Sequence, residues 1–428
     1  MSQGATSAAV VSVGNELLFG ETLDTNAAWL GRKLATLGIA VVRRFAVGDV
    51  AKDIGWAVRE AAQVADLVLV TGGLGPTPDD LTKAAVADAM GLDLVVDDQV
   101  HEVLRERYQE QGLDRVPPAA YGQAQVPLGS VPLRNIEGTA PGILLRSPEA
   151  IIVLLPGVPR ELETIVDGSL LPHLEDLRED DADRVWHHVI HTTGIAESRL
   201  TALVEERLVG MSNEAGLQGA IAYLPDLYGV DLRLTATGLS RDDALARITP
   251  MLGAIEDVVR PYKFESGSGD LAEAVSQSLR ERGMTLATAE SCTGGLIAKR
   301  ITDIAGSSDV FAGGIVAYSN ETKIVLAGVS AVDIAEHGAV SETVASQLAL
   351  GIADVLNADV GIGVTGVAGP DGGHEEKPVG TVWIATALEG EVMATLCRYS
   401  GSREAVRERA GQAALAAVYR RLLAAPAQ

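Results

Sequence analysis

Cysteine and aromatic side chains are scarce in this sequence. Its 428 residues include only two cysteines, Cys292 and Cys397. Two cysteines so far apart provide neither a disulfide framework nor the paired spacing of a zinc site. Phenylalanine, tryptophan and tyrosine together make up 4% of the residues, which disfavours proteins that bind nucleic acid by stacking its bases on aromatic rings.

Positive charge is also in short supply. Lysine and arginine number 34 against 58 acidic residues, so the net charge is -24. This charge repels a nucleic-acid backbone, and the basic clusters are no longer than pairs such as Arg43-Arg44 and Arg420-Arg421. We therefore expect no direct binding of nucleic acid. A small anionic substrate is still compatible with this charge, because a few local cations can hold one phosphate.

Long hydrophobic runs are absent as well. No apolar stretch approaches the roughly 20 residues that span a membrane. The segment Met1–Gly4 lacks the charged and then apolar pattern of a secretory signal. Hydrophobic residues make up 47% and charged residues 21% of the chain, as in ordinary globular proteins. We expect a cytoplasmic protein with no membrane partner.

The chain is too long for one compact core, and its patterns divide it into three regions. Residues 1–172 and 263–428 alternate apolar strand candidates with helical periodicity, which is typical of layered α/β domains and, in the N-terminal region, of a parallel sheet. The strands expected in these two regions include Ala40–Val47, Ile151–Leu155 and Gly314–Tyr318. Residues 173–262 read as a small α+β module with a helix over Glu197–Leu208 and a strand near 219–224. Pro261 with Glu265–Asp270 has the composition of a linker. The sequence predicts two three-layer α/β domains joined by a small α+β module.

The segment Ala289–Gly295 (AESCTGG) joins a predicted strand to a predicted helix. Its serine, Ser291, should face free N–H groups at the helix start, which could hold the anion formed when the serine attacks a carbonyl. No histidine is suitably placed as a base. Lys323, in the first turns of a helix that follows Tyr318, should have a lowered pKa and could accept the serine proton.

Each of these residues also has a plain structural interpretation. Ser291 could be only a helix N-cap, and Lys323 could be a solvated lysine. Cys292 could be the nucleophile instead, with a thiol pKa lowered by the helix start. Arg403 could form a surface ion pair with a neighbouring glutamate.

Two further loops complete the C-terminal pattern. Thr365–Gly373 follows a predicted strand and is rich in glycine, and Gly401–Arg403 opens the last helix with an arginine suited to a phosphate. With these loops, residues 271–428 resemble the nicotinamide mononucleotide deamidase domain of the CinA family. The motifs that carry the resemblance are AESCTGG at 289–295, AGSS at 305–308, YSNETK at 318–323, GAVSE at 338–342, TGVAGPDGG at 365–373 and KPVGTVW at 377–383.

The resemblance implies a Ser/Lys dyad in which Ser291 is the nucleophile and Lys323 the base, with Tyr318 orienting them. The reaction would hydrolyse the carboxamide of nicotinamide mononucleotide to nicotinate mononucleotide and ammonia, without a cofactor. It also implies a homodimer. The implied substrate-binding residues are Thr293, Gly294, Ser307, Ser308, Asn320, Thr365, Gly366 and Arg403.

The N-terminal region contains a second glycine-rich loop, Gly72–Thr82 (GGLGPTPDDLT), between a buried strand and a helix. This geometry suits a phosphate, although the loop is neither a P-loop nor a dinucleotide fingerprint. Four carboxylates could hold Mg²⁺ or a similar divalent cation beside a pyrophosphate. These candidate metal ligands are Glu16, Asp24, Asp79 and Asp80. The plain alternative is that Asp79 or Asp80 caps the helix that starts at Leu81.

Residues 8–170 resemble the molybdopterin-binding domain found at the N-terminus of CinA proteins. The resemblance implies an ADP-ribose pyrophosphatase activity with a divalent cation. Leu74 departs from the shorter Gly-Gly-Thr-Gly loop of molybdenum-cofactor enzymes, which argues mildly against molybdopterin as ligand. The implied nucleotide-binding residues are Gly14, Asn15, Gly72, Gly73, Gly75, Thr77, Pro156 and Gly157.

The middle region is similar to the KH-like connector of the same family. His187, His188 and His191 share one predicted strand, but neighbouring strand residues point to opposite faces, so we expect a plain strand and not a metal site. Two other functional classes stay open at this point. One is a non-catalytic partner protein in competence or DNA damage, and the other is a molybdopterin-binding enzyme.

Overall fold

The computed structural model describes residues 7–110, 112–113, 115–176, 184–209, 221–238 and 240–425. The chain divides into two compact units. One comprises Met1–His187 and Thr235–Ile248, and the other comprises His188–Leu234 and Thr249–Gln428. In the described ranges, no helix combines the length and the apolar character needed to cross a membrane.

The N-terminal domain is built on a mixed six-stranded sheet. The strands of this domain are β1 (Ser7–Val13), β2 (Ala40–Val47), β3 (Leu67–Thr71), β4 (Leu94–Val96), β5 (Gln125–Pro127), β6 (Val131–Leu133), β7 (Gly142–Arg146) and β8 (Ile151–Leu155). The sheet order is β2-β1-β3-β8-β7-β6, while β4 pairs with β5. Strands β2, β1, β3 and β8 are parallel as predicted, and β7 and β6 add an antiparallel edge.

Helices cover both faces of this sheet. They are α1 (Asn15–Leu18), α2 (Thr25–Thr36), α3 (Ala51–Ala62), α4 (Thr82–Met90), α5 (Asp98–Glu110), α6 (Pro159–Ile165) and α7 (Leu171–Asp176). Alternate residues of β1 divide between the two faces: Val11 packs in the cluster of α3, and Val10 in the cluster of α2 and α6. This strand periodicity explains why β1 is buried on both sides in a three-layer domain.

The middle module contains a four-stranded sheet in the order β10-β11-β9-β12. Its elements are β9 (Arg184–Thr192), α8 (Glu197–Leu208), β10 (Ile221–Pro225), β11 (Val230–Gly238), α9 (Arg241–Val259) and β12 (Lys263–Phe264). The strand predicted over 219–224 begins at Ile221, and positions 219 and 220 lie outside the described residues. His187 Nδ1 lies 3.0 Å from Thr235 Oγ1, and His191 Nδ1 lies 2.9 Å from Asp231 Oδ1.

The C-terminal domain has a five-stranded sheet in the order β14-β13-β15-β16-β17. Its strands are β13 (Leu286–Glu290), β14 (Phe311–Val316), β15 (Val360–Gly366), β16 (Thr381–Leu388) and β17 (Glu391–Arg398). Its helices are α10 (Leu271–Arg282), α11 (Leu296–Thr302), α12 (Asn320–Ala327), α13 (Ala331–His337), α14 (Glu342–Leu356) and α15 (Arg403–Ala424). Strand β13 runs parallel to β14 and β15, whereas β16 is antiparallel to both of its neighbours.

Helices α10, α11 and α15 pack on one face of this sheet, and α12 and α14 pack on the other. Ile362 of β15 lies in the first cluster, and Ala287 and Ala289 of β13 lie in the second. This arrangement confirms the predicted three-layer α/β class for the C-terminal domain.

Three glycines bring β15, α14 and α12 unusually close together. A Cβ atom on Gly361 would lie 2.0 Å from the carbonyl oxygen of Ala349, and one on Gly363 would lie 2.3 Å from that of Ala345. A Cβ atom on Gly351 of α14 would lie 1.8 Å from the carbonyl oxygen of Ala327. Real Cβ atoms do not approach oxygen so closely, so only glycine permits this packing.

Candidate active site

The C-terminal candidate residues meet at one edge of the sheet. Ser291 follows β13, Tyr318 lies just after β14, and Thr365 is near the end of β15. The three strands are parallel neighbours, so their carboxyl ends share an edge. Strand β17 runs in the same direction as β15, and Arg403 follows it at the same edge.

Ser291 and Lys323 are in direct contact. Lys323 Nζ lies 3.1 Å from Ser291 Oγ, 2.8 Å from the carbonyl oxygen of Ala317 and 3.2 Å from that of Tyr318. Lys323 is 2% exposed and Ser291 is 8% exposed. All three acceptors are uncharged. The alternative that Lys323 is a solvated lysine is therefore wrong.

Burial sets the protonation of this lysine. Desolvation lowers the pKa of the Lys323 ammonium below its ordinary value of 10.5. Lys323 is the fourth residue of α12, where the positive end of the helix dipole also disfavours a cation. A neutral amine at this distance can accept a hydrogen bond from the Ser291 hydroxyl and take its proton.

The Ser291 turn differs from the prediction in one respect. Helix α11 begins at Leu296 with Gly295 as its N-cap, and no side chain from the cap position bonds to it. The alternative that Ser291 is the N-cap is therefore wrong. The Ser291 N–H donates to the carbonyl oxygen of Val364 at 2.9 Å, so the serine backbone continues the β13–β15 pairing.

Glu290 occupies the helix start that sequence reasoning left free for an anion. Its fully buried carboxylate accepts hydrogen bonds from the backbone N–H groups of Gly295 (3.0 Å), Ile297 (3.1 Å) and Ala298 (2.9 Å). The expectation that these groups stabilise a reaction anion is wrong, because the chain supplies its own anion. The sequence did contain a sign of this role. Glu290 ends an apolar strand, where a side chain should be buried, and a buried carboxylate needs hydrogen-bond donors.

Cys292 is buried at 5% exposure beside the serine. Burial, with a smaller contribution from the nearby Glu290, raises the pKa of the Cys292 thiol to about 12. The predicted lowering by the helix start is therefore wrong, because burial outweighs it. A thiol with this pKa stays protonated near neutrality, which disfavours Cys292 as the nucleophile.

Arg403 joins two loops at the site. Its Nη1 donates to the carbonyl oxygen of Gly369 at 2.7 Å, and its Nη2 donates to the Tyr318 hydroxyl at 2.9 Å. The alternative of a surface ion pair with a neighbouring glutamate is therefore wrong. Sequence reasoning missed Arg407, one helical turn further on, which donates to the carbonyl oxygen of Thr293 at 2.7 Å.

The other predicted binding residues divide between two places. Gly366 ends β15 and Asn320 begins α12, both at the Ser291 edge. The Thr365 hydroxyl donates to the carbonyl oxygen of Ala339 at 2.8 Å. Ser307 and Ser308 instead precede β14, about 20 Å away at the opposite edge given its six residues. Within this chain they do not join the others.

Thr293 and Gly294 form part of the turn between Ser291 and α11. Thr293 is fully buried, and its hydroxyl has no hydrogen-bond partner in the described part of the chain. Gly294 adopts a φ of +64° and donates its N–H to the Ser291 carbonyl oxygen at 3.1 Å. Both residues shape the turn that presents the serine.

A second candidate site lies in the N-terminal domain, at the carboxyl ends of β1, β3 and β8. It is a cavity of ≈ 430 Å³, which we call the glycine-lined cavity. Its lining includes Gly14, Glu16, Asp49, Gly72, Gly73, Gly75, Asp79, Asp80, Pro156, Gly157 and Glu161. Asn15 and Thr77 adjoin it: the Asn15 N–H donates to Asp49 at 3.1 Å, and Thr77 contacts Asp79.

Glycine is required where this cavity meets the strands. Gly72 has a φ of +100°, and a Cβ atom on it would lie 2.2 Å from the carbonyl oxygen of Val13. Gly73 has a φ of +67°, and a Cβ atom on it would lie 2.3 Å from Thr82 Oγ1. The loop backbone itself therefore forms the cavity wall.

The carboxylates of Asp79 and Asp80 form hydrogen bonds within the glycine-rich loop and do not cap the helix that follows it. The Thr77 hydroxyl lies 2.6 Å from Asp80 Oδ2, and the Thr77 N–H donates to the same oxygen at 2.8 Å. The Thr77 hydroxyl also contacts Asp79, and this hydrogen bond lowers the pKa of the Asp79 carboxyl. Helix α4 begins at Thr82 without a side-chain cap, so the predicted capping role of Asp79 or Asp80 is wrong.

The four predicted metal ligands do not form one cluster. Asp24 caps α2: its carboxylate accepts from the Ala27 N–H at 2.9 Å and from the Ser12 hydroxyl at 2.6 Å. It lines a smaller adjoining cavity of ≈ 100 Å³, which Glu16 also lines. Across the described ranges, no group of three or more histidine, cysteine, aspartate or glutamate side chains is placed to hold a metal ion.

Three family models match the chain in order. Residues 9–176 match a probable molybdopterin binding domain, residues 187–264 the KH domain of damage-inducible protein CinA, and residues 268–422 the CinA C-terminal domain. Among solved structures, a CinA protein of unknown function from Thermoplasma acidophilum is 38% identical and matches 41% of this chain and all of its own, with a TM-score of 0.38. A CinA superfamily protein from Klebsiella pneumoniae is 37% identical and matches 36% of this chain and 97% of its own, with a TM-score of 0.36.

Full-length relatives show the same similarity over nearly the whole sequence. A CinA-like protein of Gemmatimonas aurantiaca is 43% identical over 95% of this chain and 94% of its own length. A CinA-like protein of Salinibacter ruber is 41% identical over 95% of this chain and 97% of its own length. With all three domain models matched in order, this chain belongs to the CinA family.

Proposed function

We propose that the C-terminal domain is an amidohydrolase that converts nicotinamide mononucleotide to nicotinate mononucleotide and ammonia. The observation that carries this proposal is the buried Lys323 amine, 3.1 Å from Ser291 Oγ and bonded only to uncharged acceptors. Such a lysine can work as a general base near neutral pH, which a solvated lysine cannot.

The first half of the proposed reaction forms an ester. Neutral Lys323 Nζ takes the proton of Ser291 as its Oγ attacks the carboxamide carbon. The tetrahedral intermediate collapses with cleavage of the C–N bond, and Lys323 returns the proton to the departing nitrogen, which leaves as ammonia. A nicotinoyl ester on Ser291 remains.

The second half consumes one water molecule. Lys323 takes a proton from the water as its oxygen attacks the ester carbon. The C–Oγ bond breaks, Lys323 returns the proton to Ser291, and the nicotinate carboxyl group is released. Arg403 is the proposed partner of the substrate phosphate, since its side chain is exposed at the same sheet edge and pairs with no carboxylate among the residues that the structure describes.

Ammonia release from nicotinamide mononucleotide tests the proposal directly. The Ser291→Ala variant should lose activity by roughly 10³-fold or more, whereas Cys292→Ser should keep it. Lys299→Ala is the matched surface control, since this exposed lysine only pairs with Asp303. Equal release by wild type and Ser291→Ala would refute Ser291 as the nucleophile. No release by the wild type would instead favour a non-catalytic protein.

For the N-terminal domain, we propose a divalent-cation-dependent ADP-ribose pyrophosphatase. The observation that favours it is the lining of the glycine-lined cavity, which carries five carboxylates and no lysine or arginine. An anionic pyrophosphate could enter only with a cation that offsets this charge. Mg²⁺ commonly binds one or two carboxylates together with substrate phosphates, and this donor set fits that pattern. One or two of the carboxylates of Glu16, Asp79 and Asp80 would be the first candidates to hold it, with the substrate phosphates as the other ligands.

Hydrolysis of ADP-ribose to AMP and ribose 5-phosphate tests this second activity. We expect turnover with Mg²⁺ or Mn²⁺ and none with a chelator. The Glu16→Gln variant should hydrolyse ADP-ribose more slowly. Glu60→Gln is the control and should match the wild type, since Glu60 is half-buried on α3 and is not among the residues that line the cavity. Turnover that a chelator leaves unchanged would contradict the proposal.

A further inference from the structure

A third cavity lies within the unit that contains residues 188–234 and 249–428. Its volume is ≈ 650 Å³, and it is bounded by the β9–α8 loop, the β10–β11 turn, strand β17 and helix α15. We call it the arginine groove, after Arg398, Arg409 and Arg420, which line it. Ser291, Lys323 and Arg403 are not among its lining residues.

The three arginines have no anionic partner in the part of the chain that the structure describes. Arg409 Nη1 donates to the carbonyl oxygen of Ser400 at 2.7 Å, and Arg420 Nη2 donates to that of Thr193 at 3.4 Å. None of the three takes part in an ion pair within the described ranges. Three unpaired arginines around one cavity are unusual in a chain with a net charge of -24.

Two acidic residues also line the groove, and one of them accepts hydrogen bonds from the backbone of its own turn. Asp226 Oδ1 accepts from the N–H groups of Tyr228 at 2.7 Å and Gly229 at 2.8 Å, which closes the β10–β11 turn. Glu197 is the first residue of α8, a helix that begins without a side-chain cap. The lining therefore carries more positive than negative charge.

Hydrogen bonds connect the residues in the interior of the groove. Gln412 is 4% exposed, donates to Thr193 Oγ1 at 3.1 Å and accepts from Arg300 at 2.9 Å. Gly194 has a φ of +76°, and a Cβ atom on it would lie 2.4 Å from Arg420 Nη2. Glycine at this position allows Arg420 to approach the loop.

The remaining wall of the groove is apolar, with Leu227, Ile384, Ala413, Ala416 and Ala417 among its lining. An inorganic ion would leave most of this wall and most of the ≈ 650 Å³ unfilled. We propose that the arginine groove binds an organic phosphate of nucleotide size. Its phosphate would contact the arginines, and its planar ring would lie on the apolar wall.

Cys397 provides a local readout, because it lines the groove while the other cysteine, Cys292, is buried elsewhere. Burial raises the pKa of the Cys397 thiol, so alkylation with iodoacetamide is run at mildly alkaline pH in the full chain and mapped by mass spectrometry. Adenosine 5′-monophosphate is the probe. It should slow alkylation of Cys397 several-fold, whereas adenosine or inorganic phosphate alone should protect much less.

The arginines are then removed. Arg398→Ala combined with Arg420→Ala should raise the probe concentration for half-protection by about tenfold or more. Arg398→Ala alone is a second variant that should fold normally, since this exposed side chain has no hydrogen bond within the described ranges. It should raise the probe concentration for half-protection by a smaller factor. Arg260→Ala, which removes an exposed arginine paired with Glu256, is the control and should give no shift.

Several results would overturn the proposal. An absence of protection in the wild type would refute binding. Equal protection by adenosine would refute the role of the phosphate charge, and equal protection by inorganic phosphate would refute a ligand of nucleotide size. Protection that both arginine variants leave unchanged would refute the groove as the binding site. The deamidase assay is not used, so failure here is independent of the proposed function.

Discussion

The Ser291 site and the glycine-lined cavity both lie at the carboxyl ends of parallel strands, but they hold opposite kinds of groups. At Ser291, a buried amine meets a hydroxyl and two backbone carbonyl oxygens. In the glycine-lined cavity, loop backbone and carboxylates surround an open space. One site contains a buried amine with uncharged hydrogen-bond partners, whereas the other carries an excess of negative charge.

The difference teaches how each site could become reactive. In the proposed deamidase mechanism, desolvation favours the neutral form of Lys323, which is the form that can act as a base, because a desolvated ammonium gives up its proton more readily. Removing water would not help the second site, because its carboxylates would repel an anionic substrate. The activity proposed for that site requires a cation from solution, so the two proposed activities should respond to different perturbations.

Lys323→Met should produce the largest difference between the two proposed activities. The substitution keeps the length of the side chain but removes the base, so deamidation should fall by about 10²–10⁴-fold. ADP-ribose hydrolysis should not change. Both rates are measured on the same preparation, with Lys299→Ala as the control. Deamidation within a few-fold of the wild type would exclude Lys323 as the base.

The pH dependence of deamidation should report the protonation of the same lysine. Deamidation kcat/KM should rise about tenfold per pH unit while Lys323 is protonated and level off below pH 10.5, because burial lowers its pKa from that value. The unfolded chain binds the proton more tightly, so the free energy of unfolding should also rise with pH between the folded and unfolded pKa values. Urea unfolding of the wild type and of Lys323→Met across pH measures this: the variant should lack that contribution.

Gly72→Ala should damage the N-terminal domain alone. The new Cβ atom would lie 2.2 Å from the carbonyl oxygen of Val13 at a φ of +100°, and we expect a loss of about 3 kcal/mol in the free energy of unfolding. Gly20→Ala is the matched control, with a φ of +73° and nothing within 4 Å of its Cβ atom; it should cost only about 1–2 kcal/mol. Thermal unfolding compares them, and equal losses would contradict the steric argument.

Glu290→Gln should have the smallest effect, on the stability of the C-terminal domain. In the wild type, the carboxylate accepts hydrogen bonds from backbone N–H groups. In the variant, the amide N–H₂ group would face some of these donors and leave them unbonded, which should lower the free energy of unfolding by about 1–3 kcal/mol. Ser330→Ala, which removes the ordinary cap of α13, should cost about 1 kcal/mol. Denaturant unfolding provides both values, and a stability unchanged in Glu290→Gln would refute the capping role.

Local patterns predicted much of the fold. The predicted spans Ala40–Val47, Ile151–Leu155 and Glu197–Leu208 coincide with β2, β8 and α8. Their apolar residues repeat clearly, and turn residues bound them. The strand predicted at Gly314–Tyr318 is instead Phe311–Val316, because adjacent glycines resemble a break and only the neighbouring strand shows that they are paired.

Non-local contacts explain what the sequence did not reveal. The antiparallel edge formed by β6 and β7 depends on pairing with β8, and no local periodicity marks it. At the candidate site, the Ser291–Lys323 contact was predictable from the resemblance. The roles of Glu290 and Arg407 were not, because each depends on which backbone atoms the folded chain brings to the side chain.

The close packing of Gly351, Gly361 and Gly363 affects how loss-of-function variants of this protein should be interpreted. A side chain at any of these positions would collide with a carbonyl oxygen and displace the elements that carry Lys323 and Thr365. A mutational scan scored by enzymatic turnover would therefore mark all three as essential, although none of them is among the residues proposed to act on the substrate. Intolerance of substitution at a position can thus reflect the spacing between backbones and not membership of the active site.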